Sequence, residues 1–320
     1  MLQDLVRIAN RLLNDLKGRF LRLREVEPAS RVVGTAPAIE YQSLKRVVLT
    51  DGVGRTLFDE YAEHQASNRG SEETGWFLLG LRGQDEAVVL ATLPAGAARD
   101  AGVGHVQFNS WGQALASRIV RQSDRRIVSL GIVHTHPGSL RHPSDGDFRG
   151  DSNWVGQLRG REGIFGIGNA DCKPQDGTSL AYQPKPNVQC LGKLRFSWYA
   201  LASGDRAYRP LPVEYTLGPD LARPLHSVWA VIEAHADRLD RLYRQQANVS
   251  FEVVAGKYGP ALGVMIRLAE PGNAIQALLE EKEVRYFLLK KGETFLANPH
   301  EPRIDRAVYL LLAELAAQLN

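Results

Sequence analysis

The sequence predicts an α/β fold: a mixed β-sheet flanked by helices, with an amphipathic helix before it and an α+β region after it. Apolar runs of strand length alternate with segments of helical periodicity through the middle of the chain. Two such runs, Trp76–Leu81 and Ala87–Leu93, flank a short charged turn and therefore predict a hairpin. The runs Arg126–His134 and Gly163–Gly168 predict two further buried strands of the same sheet.

Three segments follow from this pattern. Residues 1–37 combine an amphipathic helix, basic on its polar face, with a linker rich in Pro and Gly. Packing on its own domain, a dimer contact and docking of a partner all remain open for that helix. Binding to a membrane surface is a weaker alternative, because acidic residues interrupt the basic face. Residues 38–218 form the predicted central domain, within which Asn169–Gln189 is rich in Pro, Gly, Asn and Asp and is expected to be a long surface loop.

Residues 219–320 form a predicted α+β accessory domain of unknown role. The pattern predicts a helix at Leu225–Gln246, then strands, a short helix at Ala274–Glu283, a hairpin around Lys290–Gly292 and a closing helix at Ile304–Leu319.

Composition narrows the classes of function. The 320 residues are 44% hydrophobic and 23% charged with a net charge of +3, which favours an ordinary globular protein and argues against nucleic-acid binding. Because no apolar run reaches 18 residues and the N-terminus lacks a signal-peptide core, we expect a cytoplasmic protein without a membrane partner. The two cysteines, Cys172 and Cys190, are expected to be buried or free thiols in a reducing compartment.

The segment Gly131–Asp147 contains several side chains that are able to bind a metal ion or take part in catalysis. His134 and His136 lie two positions apart at the end of a predicted strand, so both imidazoles face the same side. Ser144 is a good N-cap for a following helix, and Asp147 lies in the first turn of that helix. Two imidazoles and one carboxylate supply three ligands for one zinc ion per chain, and the open fourth position is typical of a catalytic site.

This segment resembles the signature of the JAMM (JAB or MPN-plus) zinc metalloproteases, which reads His-x-His-Pro, six residues, then Ser-x-x-Asp. The chain matches it at His134, His136, Pro137, Ser144 and Asp147. That family also uses an upstream glutamate before an apolar run, and Glu73 occupies this place. The resemblance covers residues 38–215 and implies the JAB/MPN fold, which is similar to that of cytidine deaminases. The chain departs from the usual Glu-x-x-Gly pattern, because Trp76 stands where the glycine is expected.

The resemblance also implies a function. Glu73 would be the general base of a zinc-dependent isopeptidase, and Ser144 would donate to the oxyanion. The expected substrates are amides after the C-terminus of ubiquitin or a ubiquitin-like protein, as precursors or conjugates. Prokaryotic members accompany ubiquitin-like conjugation operons, including antiphage ones of the Bil and CBASS types. Further partners that fit this resemblance are the activating and conjugating enzymes of such a pathway and a second copy of the chain, in a homodimer.

Two alternatives stay open: a metallopeptidase of a sulfur-carrier pathway and a non-catalytic MPN scaffold. Two residues also compete with the assigned ones. Glu72 competes with Glu73, although alternation along an extended segment lets only one of them face the metal. His142 competes as a ligand but lies in the polar loop, where we expect it to face solvent. His64 and His105 are expected to be ordinary polar residues.

Overall fold

The structure, a computed structural model, describes residues 39–96, 110–172, 181–245, 248–290 and 292–297, together with residues 312, 313, 315–317 and 319. The predicted helix in residues 1–24 and the predicted strand at residues 105–108 lie outside the described residues. Among the helices that are described, none has the length and apolar character needed to cross a bilayer.

A ten-stranded mixed sheet forms the centre of the described chain. Its strand order is β10-β1-β3-β2-β4-β5-β8-β7-β6, and β9 pairs with β8. The strands are β1 (Arg46–Thr50), β2 (Gly75–Arg82), β3 (Glu86–Pro94), β4 (Val128–Thr135), β5 (Glu162–Asn169), β6 (Tyr182–Lys185), β7 (Val188–Leu191), β8 (Leu194–Ala202), β9 (Arg209–Pro210) and β10 (Val213–Thr216). The predicted β2–β3 hairpin is confirmed, and β4 pairs with β2 antiparallel and with β5 parallel. The mixed α/β class is therefore confirmed.

Helix α1 (Asp51–Ala66) covers one face of this sheet. It begins where the Thr50 side chain accepts a hydrogen bond from the backbone N–H of Val53. Its apolar side chains pack against an aromatic cluster in which Phe58 and Trp76 contact the ring of Phe196 edge-on. Trp76, the departure from the family pattern, is thus a buried core residue, 2% exposed.

The opposite face carries helix α2 (Ser110–Arg121), helix α3 (Asp145–Ser152) and two 3-10 turns, Val155–Gln157 and Arg159–Arg161. Leu115, Ile119 and Val120 of α2 belong to the same core cluster as Leu79 and Leu93 of the main sheet. The opposite side of α2 lines a cavity on this face of the sheet.

The C-terminal region adds helices α4 (Arg223–His226) and α5 (Trp229–Gln245) and a five-stranded antiparallel sheet. The strands follow one another in space as in sequence: β11 (Val249–Ala255), β12 (Pro260–Arg267), β13 (Ala274–Leu279), β14 (Val284–Lys290) and β15 (Glu293–Ala297). Apolar residues of α2, α5 and this sheet share one continuous core. Of the predicted closing helix, the described positions 312, 313, 315–317 and 319 are helical.

The predicted helix at Ala274–Glu283 is wrong, because residues 274–279 form strand β13. This segment is rich in residues that favour helices, but it pairs antiparallel with β12 and β14 along its whole length. Alternate residues Ile275, Ala277 and Leu279 are fully buried in the core between the sheet and the helices. Tertiary pairing has therefore overridden a weak local propensity.

Two expectations for the Asn169–Gln189 segment are also corrected. Asn169 is the last residue of β5, and residues 182–191 form the β6–β7 hairpin, so the segment is not one long loop. Cys172 and Cys190 form a disulfide, with Cα atoms 6.6 Å apart, and are not free thiols. Because disulfides are rare in reducing compartments, this bond removes the basis on which a reducing compartment was expected.

Candidate metal centre

The end of strand β4 presents both histidines. Gly75 of β2 pairs with His134 on one side, and Ile167 of β5 pairs with it on the other. The backbone N–H of His136 still donates to the carbonyl oxygen of Gly168, 2.8 Å away, so the extended conformation continues past the strand end. The two Nε2 atoms lie 3.0 Å apart, and both side chains are buried. The i, i+2 spacing thus places both imidazoles at one point, as alternation predicts.

Helix α3 brings the carboxylate to the same point. Ser144 is its N-cap, as predicted: the Ser144 Oγ accepts from the backbone N–H of Asp147 at 3.1 Å. In return, the Asp147 Oδ2 accepts from the backbone N–H of Ser144 at 2.6 Å, which completes a capping box. The Ser144 hydroxyl also contacts this Oδ2 at 2.8 Å, so Ser144 fixes the orientation of the carboxylate.

His134, His136 and Asp147 form one cluster whose ligand atoms all lie within 4.8 Å of one another. The Nε2 atoms of His134 and His136 lie 3.2 and 3.3 Å from the two Asp147 oxygens. The Nδ1 of His136 faces the carbonyl oxygen of Leu140 at 3.1 Å. Because a carbonyl only accepts, Nδ1 carries the proton, and the lone pair of neutral His136 lies on Nε2, towards the cluster. This donor set and tautomer fit a divalent metal such as zinc.

The electrostatics of the cluster favour a bound cation. Burial alone would raise the pKa of Asp147, but the adjacent His134 and His136 imidazoles and the hydrogen bond from the Ser144 backbone N–H hold that pKa well below its usual range. Burial would likewise lower the pKa of His134, but the carboxylates of Asp147 and, more weakly, Glu73 raise it overall. The cluster therefore concentrates negative charge around two imidazoles in a dry environment.

Glu73 and Glu72 have different surroundings. Glu73 is 4% exposed and lies close enough to the cluster to raise the pKa of His134. Glu72 is half-buried and forms an ion pair with Arg69 at 2.6 Å. The segment that carries them is held to the end of β4, because the backbone N–H of Thr74 donates to the Thr135 hydroxyl at 2.9 Å. Glu73, not Glu72, is therefore the glutamate beside the cluster.

Asp151, a buried carboxylate one helical turn beyond Asp147, was not predicted from the sequence. Its oxygens accept hydrogen bonds from Tyr208 Oη at 2.7 Å and from Trp154 Nε1 at 3.1 Å. Burial raises the pKa of Asp151 to about 6, and this carboxylate also acts on His134 electrostatically. The i, i+4 spacing from Asp147 was the signal that could have revealed it, since such residues share one helix face.

Asn169 is a second residue that the sequence analysis missed. Its fully buried Nδ2 donates to the carbonyl oxygen of Leu140 at 2.7 Å and to that of His136 at 3.3 Å. Leu140 is also the partner of His136 Nδ1, so Asn169 holds the loop that orients this imidazole. The local sequence pattern could not reveal this role of Asn169, because its partner Leu140 lies 29 residues away in the sequence.

The remaining histidines of the described region lie outside the cluster. His142 is exposed, and its Nδ1 faces the carbonyl oxygen of Pro143, as expected for a loop residue. His64 Nε2 faces the carbonyl oxygen of Glu72 at 2.9 Å. His105 lies outside the described residues.

Comparisons with known proteins address the family of this domain. No curated protein matches the chain. One solved structure that matches is the solution structure of protein DSY2949 from Desulfitobacterium hafniense, at 16% identity over 53% of this chain and 94% of that chain. Its TM-score of 0.34 is too low to support an argument. Residues 55–181 match the family described as prokaryotic homologs of the JAB domain. This match supports the JAB/MPN family for the stretch that supplies β4, α3 and all three residues of the cluster.

Proposed function

We propose that the protein is a zinc-dependent peptidase that cleaves the amide after the C-terminus of a ubiquitin-like modifier. The observation that carries this proposal is the convergence of His134, His136 and Asp147 at a point where Glu73 is buried alongside. Scaffold members of the family are expected to lack some of these residues, whereas this chain has all of them. Precursor processing and removal of the modifier from a conjugate use the same chemistry.

Each residue has a defined part in this proposal. A zinc ion held by His134, His136 and Asp147 would supply Lewis acidity and lower the pKa of a water molecule to about 7. Glu73 would accept the proton of the attacking water and deliver it to the leaving amine. Ser144 would donate its hydroxyl hydrogen to the developing oxyanion, which requires that the hydrogen turn away from Asp147 Oδ2. Asn169 would keep His136 oriented through Leu140.

The test is hydrolysis of a panel of fusions, each joining a ubiquitin-like modifier or a sulfur-carrier protein to a reporter through an amide. We expect the zinc-loaded protein to release the reporter from modifier fusions and Glu73→Gln to release it about 10²–10⁴-fold more slowly. Cleavage of sulfur-carrier fusions alone would favour the sulfur-carrier alternative. No cleavage of any fusion by fully zinc-loaded protein would favour the non-catalytic scaffold.

A further inference from the structure

A cavity of about 500 Å³ lies beside the metal cluster on the same face of the main sheet. Phe77 and Ile132, which pair across β2 and β4, contribute its floor. Ile132 precedes His134 by two residues and therefore points to the same side as that imidazole. Residues Gln113, Ser117, Arg118 and Arg121 of α2 line the cavity from the opposite direction.

Trp154 connects the cavity with the metal cluster. Its ring lines the cavity, and its Nε1 donates to Asp151, the buried carboxylate one turn beyond Asp147. The apolar wall formed by Phe77, Ile132 and Trp154 therefore begins next to the cluster and continues away from it along β4. An extended chain bound at the cluster could follow this wall without leaving the sheet face.

Arg121 gives the cavity an uncompensated positive charge. Its side chain is half-buried, its Nε has no hydrogen-bond partner, and its other contact is with Ser129 Oγ at 3.5 Å. No carboxylate of the described residues forms an ion pair with it. Neighbouring Arg118 and Arg159 add to the positive field, whereas Arg118 itself is paired with Asp240. A partly buried guanidinium without an anion is poorly compensated, so this site favours an incoming anion.

We propose that this cavity binds a carboxylate-bearing side chain of the peptide that is cleaved, an inference that rests on the proposed function. The Arg121 guanidinium would receive the carboxylate through paired N–H donors. Phe77, Ile132 and Trp154 would cover the apolar part of the same side chain and of its neighbour. A basic side chain is disfavoured by the positive field, and an uncharged polar side chain forms no ion pair with Arg121.

The strand geometry gives the position of this side chain in the substrate. Ser129, the contact of Arg121, pairs with Leu79, whereas His134 pairs with Gly75 four residues earlier on β2. Four strand steps of about 3.3 Å span roughly 13 Å. An extended peptide lying along β4 would therefore carry its acidic residue about four positions from the bond that is cleaved.

The experiment uses zinc-loaded Glu73→Gln protein, so that peptides are bound without being consumed. A library of heptapeptides, blocked at both ends and varied at one position at a time, is measured for binding to this protein. We expect Glu at one position to bind about 10-fold more tightly than Gln at that position. Adding Arg121→Gln should remove this preference, and Arg121→Lys should retain only part of it. The matched control is Arg125→Gln, since Arg125 is exposed just beyond the end of α2.

A second variant, Ser129→Glu, places a carboxylate of the protein itself against Arg121 and should also abolish the preference for acidic peptides. This arm remains informative if Arg121→Gln does not fold. Equal binding of Glu and Gln peptides at every position, or an acidic preference unchanged in both variants, would overturn the assignment. Because binding is measured without cleavage, loss of this preference and failure to hydrolyse modifier fusions are separate results.

Discussion

Ser144 is the residue whose substitution tests most about this site, because its hydroxyl has two roles. It caps helix α3 by accepting from the backbone N–H of Asp147 at 3.1 Å, and it contacts the Asp147 carboxylate at 2.8 Å. The proposed mechanism adds a third role, donation to the oxyanion. Ser144→Ala removes all three, whereas Ser144→Gly removes the hydroxyl but retains most of the cap, because glycine is tolerated at N-cap positions.

The magnitudes separate these roles. Loss of the cap should lower the free energy of unfolding of Ser144→Ala by about 1 kcal/mol, and that of Ser144→Gly by only a few tenths of that amount. Loss of an oxyanion donor should lower kcat by about 10²–10³-fold, or roughly 2.7–4 kcal/mol, in both variants. Because the interaction develops mainly in the transition state, KM should change little.

The assay combines urea unfolding with steady-state hydrolysis of a modifier fusion, on protein of verified zinc content. Verification is needed because Ser144 positions the proposed ligand Asp147. A kcat for Ser144→Gly close to that of the unmodified protein would refute the oxyanion role and leave Ser144 as a helix cap alone.

Three further predictions concern the base, a partly buried ion pair and a glycine of β4. Glu73→Gln should retain zinc and fold but lose about 10²–10⁴-fold in kcat, whereas Glu72→Gln should remain near normal; the reverse result would reassign the base. His226 Nδ1 lies 2.5 Å from Glu60 in a partly buried pair, and this carboxylate raises the pKa of His226 although burial alone would lower it. Because the folded pKa lies above the unfolded value of about 6.5, and Glu60 keeps its contacts with Trp76 and Arg223, His226→Gln should cost about 1.5–3 kcal/mol of stability below pH 6.5 and less as pH rises through the folded pKa. A deficit in unfolding free energy that is constant from pH 6 to 9 would contradict this. Gly131 of β4 has φ +150°, and an added Cβ would lie 1.8 Å from a backbone oxygen of β5. Gly131→Ala should therefore lower the free energy of unfolding by about 1–3 kcal/mol or more, measured by urea unfolding. An unchanged urea midpoint would contradict this prediction.

The cluster was predictable because its geometry is encoded locally. The spacing of His134 and His136 matches the two-residue period of a strand, so both side chains lie on one face. Ser144 and Asp147 are spaced as the N-cap and third residue of a helix, so their side chains meet in its first turn. Both elements lie within one stretch of 14 residues, His134 to Asp147. Only their convergence requires the tertiary fold, and the short loop between them leaves few alternatives.

Residues whose roles depend on distant partners were not predictable in this way. Asn169 acts on the loop around Leu140, and the Cys172–Cys190 pair depends on the β6–β7 hairpin that the composition suggested was a loop. Ala274–Leu279 became a strand only because strands on both sides pair with it. In each case the deciding interaction joins segments that a local pattern treats separately.

The central claim, that His134, His136 and Asp147 hold a catalytic zinc, is tested most directly by elemental analysis after zinc loading and desalting. We predict one zinc per chain for the unmodified protein and for Glu73→Gln, and almost none for His136→Ala, since three protein ligands leave no substitute for a lost one. His142→Ala, which removes an exposed histidine of the same loop, should retain full zinc and serves as the control. Full zinc occupancy in His136→Ala, or none in the unmodified protein, would contradict the account.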